Sequence, residues 1–149
     1  MFESLIGIRS TPVKNIVERG SLKAFTKSIG DESPLYHDES VGKRSRYGEN
    51  IAPPTYPRVF DYGEIQGFDL PNVGLIHGKQ SFHYERPLLV GETVMCSTAL
   101  EKYYERNGKS GLLGFLLLKR YGEEPGGKLI FTEEQVVIIT EAVREGMSS

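Results

Sequence analysis

Residues 75 to 140 read as four long β-strands joined by short turns, and this pattern limits the folds open to the chain. Leu75 to Tyr84 alternates, with Gln80, Phe82 and Tyr84 on one face and Ser81, His83 and Glu85 on the other. Arg86-Pro87 ends that run and Val90-Gly91-Glu92 turns the chain. Thr93 to Arg106 follows, then the hairpin signal Asn107-Gly108, then a return strand from Gly111 to Tyr121. Glu124-Pro125-Gly126-Gly127 turns again, and Lys128 to Thr140 closes the series with the β-branched run Val136 to Thr140. These strands are about twice the common length. Long antiparallel strands twist and coil. Such a meander covers its concave face by wrapping an apolar helix. Leu112-Leu113 and Phe115 to Leu118 do not alternate, so both faces of that strand are covered in places, one by the helix and the other by a partner subunit. Glu101, Glu105, Glu133 and Glu134 read as solvated strand positions.

The first half supplies the helices. Residues 2 to 7 suit a short docking helix or turn, and Val13 to Val17 a brief strand with Pro12 at its edge. Leu22, Phe25 and Ile29 fall at i, i+3 and i+7, the face of a helix that Gly30 would end. Asp31 is then a turn residue. Thr55 to Ile65 carries Tyr56, Val59 and Phe60 on one face, with Gly63 allowing close approach of a strand. Pro53 and Pro54 suit a first helical turn. This segment is expected to be the central helix inside the sheet. Its free N–H groups and positive dipole end could polarise a ligand carbonyl as negative charge builds on the oxygen. Pro54, Thr55 and Tyr56 are therefore candidate substrate-binding residues. Between the helices, Lys43, Arg44 and Arg46 lie among Gly42, Gly48 and Asn50. A solvated loop is the plainer reading; a basic rim for the phosphates of a ligand is the functional one.

At 149 residues one domain over 1–149 is expected, burying roughly 70% of its unfolded surface. A net charge of −2 argues against nucleic-acid binding. The single Cys96 excludes an internal disulfide framework, suits a reducing cytoplasm and reads as a core residue. No apolar run reaches a membrane span, and the stretch from Met1 to Arg9 lacks the features of a signal peptide. Residues 145–149 are expected to fray. No His, Cys or carboxylate set has zinc-ligand spacing, and there is no Gly-rich phosphate loop or Gly-x-Ser-x-Gly elbow.

Three blocks carry a family resemblance. They are Gly30-Asp31-Glu32-Ser33-Pro34-Leu35-Tyr36-His37, then Ala52-Pro53-Pro54-Thr55, then Ile76-His77-Gly78-Lys79-Gln80-Ser81-Phe82-His83-Tyr84-Glu85-Arg86-Pro87-Leu88. In this order they resemble the MaoC-like hydratase/dehydratase family, and most closely the N-terminal, often non-catalytic half of two-part dehydratases. The resemblance implies an α+β hot-dog fold, a long coiled antiparallel sheet wrapped around a central α-helix. It also implies (R)-specific hydration of 2-enoyl thioesters, or dehydration of 3-hydroxyacyl thioesters, of coenzyme A or acyl carrier protein. An Asp and a His would hold the water, and no redox cofactor or metal is implied. Asp31 matches the family Asp. Ser33 stands where the hydratase motif has Asn, and Tyr36 where it has the catalytic His, with His37 next in the chain. His77 falls in the Leu-His-Gly block, where one ring nitrogen bonded to a backbone carbonyl is the plainer role. His83 reads as a surface or interface residue. Two readings stay open: a hydratase using Asp31 with His37 or His77, and a non-catalytic acyl-binding subunit paired with a second MaoC-like chain. A hot-dog thioesterase using Asp61 or Glu64 is a third. Homodimer and heterodimer are both compatible with the resemblance.

Overall fold

Five antiparallel strands form one sheet in the order β1-β3-β4-β5-β2 in the computed structural model, which describes residues 2–148; Met1 and Ser149 lie outside the described residues. The strands are β1 (Val13–Ile16), β2 (Ile76–Tyr84), β3 (Thr93–Gly108), β4 (Gly111–Glu123) and β5 (Leu129–Ile139). The expected strands are all present. The β3–β4 hairpin turns at 109–110, beyond Asn107-Gly108, because Gly108 still pairs with Gly111. Gly111 has φ 120°, a conformation that only glycine adopts without strain.

Alternation sets the inner face. On β5, Phe131, Glu133, Gln135, Val137 and Ile139 are all buried. Two apolar clusters lie along this face. One joins Val94, Cys96 and Phe131 to Val17, Leu22, Tyr56, Phe60 and Leu88. The other joins Leu100, Leu116, Leu118, Val137 and Ile139 to Phe2 and Ile65. Glu133, expected in solvent, is 0% exposed. Local pattern cannot reveal this: the groups that accept its burial, Arg58, Gln80 and Arg120, lie on three other segments. Cys96 is a core residue as read, and burial pushes its thiol up to about 12.

The helix expected over Thr55–Ile65 is not an α-helix. Only Tyr56–Val59 turn, as a 3-10 segment, and Phe60 is already extended at φ −73°, ψ 152°. Pro53, Pro54 and Pro57 remove three backbone donors. Three groups of Asp61 and Tyr62 find tertiary partners instead of a helical ladder. Asn15 accepts from Asp61 N at 3.0 Å and donates to Asp61 O at 2.8 Å, and the Ser10 hydroxyl donates to Tyr62 O at 2.8 Å. Tyr56, Phe60, Tyr62 and Ile65 are still buried, so the segment crosses the sheet and joins both clusters without helical form. Each such side chain contributes roughly 1.5–3 kcal/mol, against about 1 kcal/mol net for a helical hydrogen bond, so burial decides the conformation. Gly63 does admit a strand: a Cβ there would stand 3.2 Å from Val13 Cγ2 on β1.

The first helix, α1 (Arg19–Ile29), forms where the periodicity placed it and ends at Gly30 in the left-handed region, φ 74°. Its buried positions are Leu22 and Thr26, while Ile29 is exposed. Two short helices follow, α2 (Pro34–His37) and α3 (Glu39–Arg44). The second replaces part of the expected 38–50 loop because Asp38 caps it, its carboxylate accepting from Ser40 N and Val41 N. Expected fraying at the C-terminus is not seen through residue 148. A helix α4 (Glu141–Ser148) forms, with Val143 and Met147 packed against the second cluster.

Gly122 on β4 lies directly against the Phe131 ring, and an added Cβ would overlap it. Gly122→Ala is expected to cost about 3 kcal/mol and lower the melting temperature by on the order of 10 °C. Thermal unfolding followed by circular dichroism measures this, and an unchanged midpoint would contradict the packing described.

Candidate functional site

The α2–α3 corner is held by one buried amide. Asn50, 0% exposed, donates from Nδ2 to Leu35 O at 2.8 Å and to Asp38 O at 2.9 Å, and its Oδ1 accepts from Arg19 Nη1 at 2.9 Å. Val90 N donates to Asn50 O at 2.9 Å, tying the corner to the loop before β3. Gly42 is required beneath it, since a Cβ there would approach Asn50 N to 2.6 Å. Sequence reasoning passed over Asn50, whose surroundings read as a polar loop. Its burial depends on partners 12 to 31 residues away.

This corner borders a cavity of about 450 Å³, lined by Tyr36, Tyr47, Ala52, Pro54, Tyr84 and Arg86 among others. That volume suits a small-molecule site. All three sequence blocks meet here: Tyr36 from the first, Ala52 and Pro54 from the second, Tyr84 and Arg86 from the third. The Tyr84 hydroxyl donates to Pro54 O at 2.7 Å and joins the last two. Arg86 is held by a bidentate pair with Glu92, at 2.9 and 2.8 Å, and by Glu124 at 2.9 Å. Tyr47, Tyr84 and Arg86 were not singled out as site residues. The signal for the last two was their place in the third block.

The expected site residues divide. Tyr36 lines the cavity, and its hydroxyl donates to Asp31 Oδ2 at 3.5 Å. Burial, and then the Asp31 charge, raise the Tyr36 phenol above its ordinary range, so it stays protonated at neutral pH. Asp31 is exposed just past Gly30. His37 turns the other way: its Nε2 lies 2.6 Å from the hydroxyl of the buried Thr26 on α1. His77 is exposed on β2, at a bulge in the pairing with β5 and away from the cavity lining. His83 is exposed beside Glu85, 3.2 Å away.

Of the second block, Pro54 lines the cavity and Thr55 is exposed. Tyr56 is a core residue, 1% exposed, its hydroxyl donating to Ser21 Oγ at 3.1 Å. The 3-10 turn presents no helix N-terminus to a ligand. In the basic group, Arg46 lies over the Tyr47 ring at 4.9 Å and donates to its hydroxyl at 2.7 Å, at the cavity wall. Arg44 Nε donates to Ser40 O on its own helix at 3.2 Å, and Lys43 is exposed. Asp61 Oδ1 accepts from Gly63 N at 2.9 Å, and Glu64 lines a different cavity. Among the described residues no group of three or more His, Cys, Asp or Glu could hold a metal ion, and no helix is long and apolar enough to cross a membrane.

Two outcomes follow from this geometry. Asn50→Ala is expected to cost about 2 kcal/mol, because two part-buried carbonyls lose their donor and Arg19 loses one acceptor. Hydrogen exchange at residues 34–44 should then accelerate more than in the sheet; equal acceleration would contradict the anchoring role. In a near-ultraviolet titration, Asp31→Asn should move Tyr36 ionisation to lower pH, since a negative charge opposing phenolate formation is removed. Subtracting the Tyr36→Phe curve isolates that residue, and no movement would show that the Asp31 contact is not made.

Residues 4–133 match the family model for the FAS1-like, dehydratase domain region. A UPF0336 protein of Thermobifida fusca (strain YX) is 37% identical over 90 residues, which is 56% of this chain and 59% of that protein. The chain thus spans somewhat more than half the length of that relative. Among solved structures, a chain of the HadBC (3R-hydroxyacyl-ACP dehydratase) complex from Mycobacterium tuberculosis superposes with a TM-score of 0.77 at 19% identity, covering 90% of this chain and 96% of that one. The MaoC-like dehydratase from Rhodospirillum rubrum superposes with a TM-score of 0.69 at 19% identity, covering 92% and 94%. These likenesses show the α+β hot-dog fold. The model match extends over all three blocks and four of the five strands. The chain therefore belongs to the FAS1-like dehydratase region family, with the hot-dog fold of MaoC-like proteins.

Proposed function

We propose that this chain is the acyl-thioester-binding subunit of a two-chain (R)-specific hydro-lyase, which dehydrates 3-hydroxyacyl thioesters or hydrates 2-enoyl thioesters of coenzyme A or acyl carrier protein in the cytoplasm. One observation carries the reading: the residue that faces the cavity from α2 is Tyr36, while the neighbouring His37 is engaged with Thr26.

Adding or removing water needs a base within hydrogen-bond reach of the transferred proton, and a donor for the thioester oxygen as enolate charge builds. A phenol held protonated donates a hydrogen bond but does not take up a proton at neutral pH. The second block supplies no helix N-terminus for the oxygen. The proton transfers are therefore assigned to a second MaoC-like chain with an intact Asp and His. In this chain Tyr36, Tyr47 and Pro54 would hold the thioester arm, and Arg46 would meet its phosphates. Strand β2 is an edge of the sheet, so a partner can approach it. That the HadBC chain comes from a complex agrees with a heterodimer. The reaction moves protons and water only, so it calls for no redox cofactor or metal.

Asp31 supports the second reading, a self-sufficient hydratase acting as a homodimer, because its carboxylate is exposed and within reach of Tyr36. The thioesterase reading lacks comparable support, since Asp61 caps a turn.

The test is crotonyl-CoA hydration by the purified chain, with acyl-CoA binding measured in parallel. Binding without turnover is expected, and Arg46→Glu should weaken binding about fivefold, on the order of 1 kcal/mol. Tyr36→His should not create turnover, because the oxyanion donor is still missing. Turnover by the chain alone, abolished in Asp31→Asn, would replace the subunit reading with the self-sufficient hydratase.

A further inference from the structure

The outer face of the sheet, opposite both apolar clusters, carries a second set of large apolar side chains. Directly paired residues of four neighbouring strands line up across it. Ile76 on β2 faces Ile138 on β5, Ile138 faces Phe115 on β4, and Phe115 faces Tyr104 on β3. The next row has Val136 and Leu117 in the middle, with Lys79 and Lys102 at its two ends. Ile76 is 47% exposed, and the other apolar members of the two rows are half-buried. This accounts for the unbroken Phe115 to Leu118 run: Leu116 and Leu118 are buried on the inner face, while Phe115 and Leu117 belong to the outer one. The solvent face of an antiparallel sheet is ordinarily polar, so an apolar row four strands wide marks a contact surface.

The charges around the band have one dominant sign. Lys102 Nζ lies 5.2 Å and the Arg106 guanidinium carbon 5.5 Å from the centre of the Tyr104 ring, which stacks on Phe115 at 4.9 Å. Lys79, Lys102 and Arg106 are all exposed. Of the carboxylates nearby, Glu134 faces Lys119 across β4 and β5, and Glu101 accepts from the Tyr121 hydroxyl at 2.9 Å. The band is therefore electropositive on a chain of net charge −2. Between the two lysines is a depression of about 280 Å³, lined by Lys79, Lys102, Tyr104, Leu117, Glu134 and Val136.

Size and charge decide what fits. With strands about 4.8 Å apart and about 3.4 Å per residue along each, the band covers roughly 400 Å². That is about half of the roughly 800 Å² each partner buries in a standard interface. A second copy of this chain would bring the same cations to a two-fold contact, so charge opposes that pairing. Three turns of helix span about 16 Å, close to the width of about 14 Å from β2 to β3. We infer that this band docks an amphipathic helix of a partner protein, with acidic residues beside its apolar face. One apolar side chain of the helix fills the depression as the anchor, and its carboxylates meet Lys79, Lys102 and Arg106. The inference does not depend on the thioester reading, since none of these residues lines the cavity bounded by Tyr36.

The test titrates the purified full chain into a fluorescently labelled amphipathic helical peptide about 16 residues long, with Leu at i, i+3, i+4 and i+7 and Glu beside them. Saturable binding is expected, about tenfold or more tighter than for the same peptide with Lys in place of Glu. Lys79→Glu combined with Lys102→Glu changes two exposed side chains and should reverse that preference. Leu117→Asn should weaken the Glu peptide about fivefold; if it does not fold, the charge-reversed pair still decides. No saturable binding, equal affinity for the two peptides, or an unchanged preference in the charge-reversed pair would each overturn the proposal. Sedimentation of the chain alone tests the second copy: self-association abolished by the same charge reversal would overturn the helix reading. Displacement of the Glu peptide by phosphatidylglycerol vesicles would overturn it too, in favour of a lipid surface.

Discussion

A carboxylate with no exposed surface, Glu133, lies in the middle of the inner face, and the arrangement on either side depends on how it is satisfied. Burying a charge costs several kcal/mol unless it is paired, and removing one partner of such a pair typically costs about 3–5 kcal/mol. Four side chains converge on this region. Arg120 and Gln80 come from the strands flanking β5, Gln135 from β5 itself, and Arg58 from the 3-10 turn. Arg58 donates to both Glu133 and Gln135, so it fastens the 52–65 segment across the sheet. The polar residues also separate the two apolar clusters, one around Phe131 and the other around Leu116 and Val137.

Because that segment is fastened through side chains, it does not need a helical ladder. The sheet keeps its inner surface covered, but by an irregular crossing piece with three prolines and an Arg latch. The functional consequence is direct. A helix of several turns would direct free N–H groups and a dipole at a bound carbonyl, and a four-residue turn offers neither. What persists at the start of the segment is shape: Ala52 and Pro54 form a wall against Tyr36 and Tyr84.

The second polar anchor, Asn50, decides which side chain looks into that cavity. It fixes α2 by its carbonyl at Leu35. On a helix successive side chains diverge by about 100°. With the turn fixed, Tyr36 faces the cavity while His37 faces Thr26. An imidazole one position later in sequence is thus not a displaced copy of one at position 36. The direction of a side chain on a one-turn helix follows from its register, and the register is set by a buried amide outside the block.

Much of this was legible in the sequence. Alternation and turn residues located every strand to within two or three residues, because a half-buried sheet imposes a period of two that survives in local composition. Leu22, Phe25 and Gly30 marked α1 for the same kind of reason. The three blocks, in their order, pointed to the family. Tertiary structure alone decided the rest. Residues 55–65 have a helical pattern of apolar side chains, but the Asp61 N–H and the Asp61 and Tyr62 carbonyls were taken by Ser10 and Asn15, about fifty residues earlier. Glu133 looks like any exposed strand carboxylate until Arg58, Gln80 and Arg120 are brought beside it. Local sequence encodes period and turn chemistry. The burial of a polar group is set by partners distant in the chain, which only the folded sheet brings together.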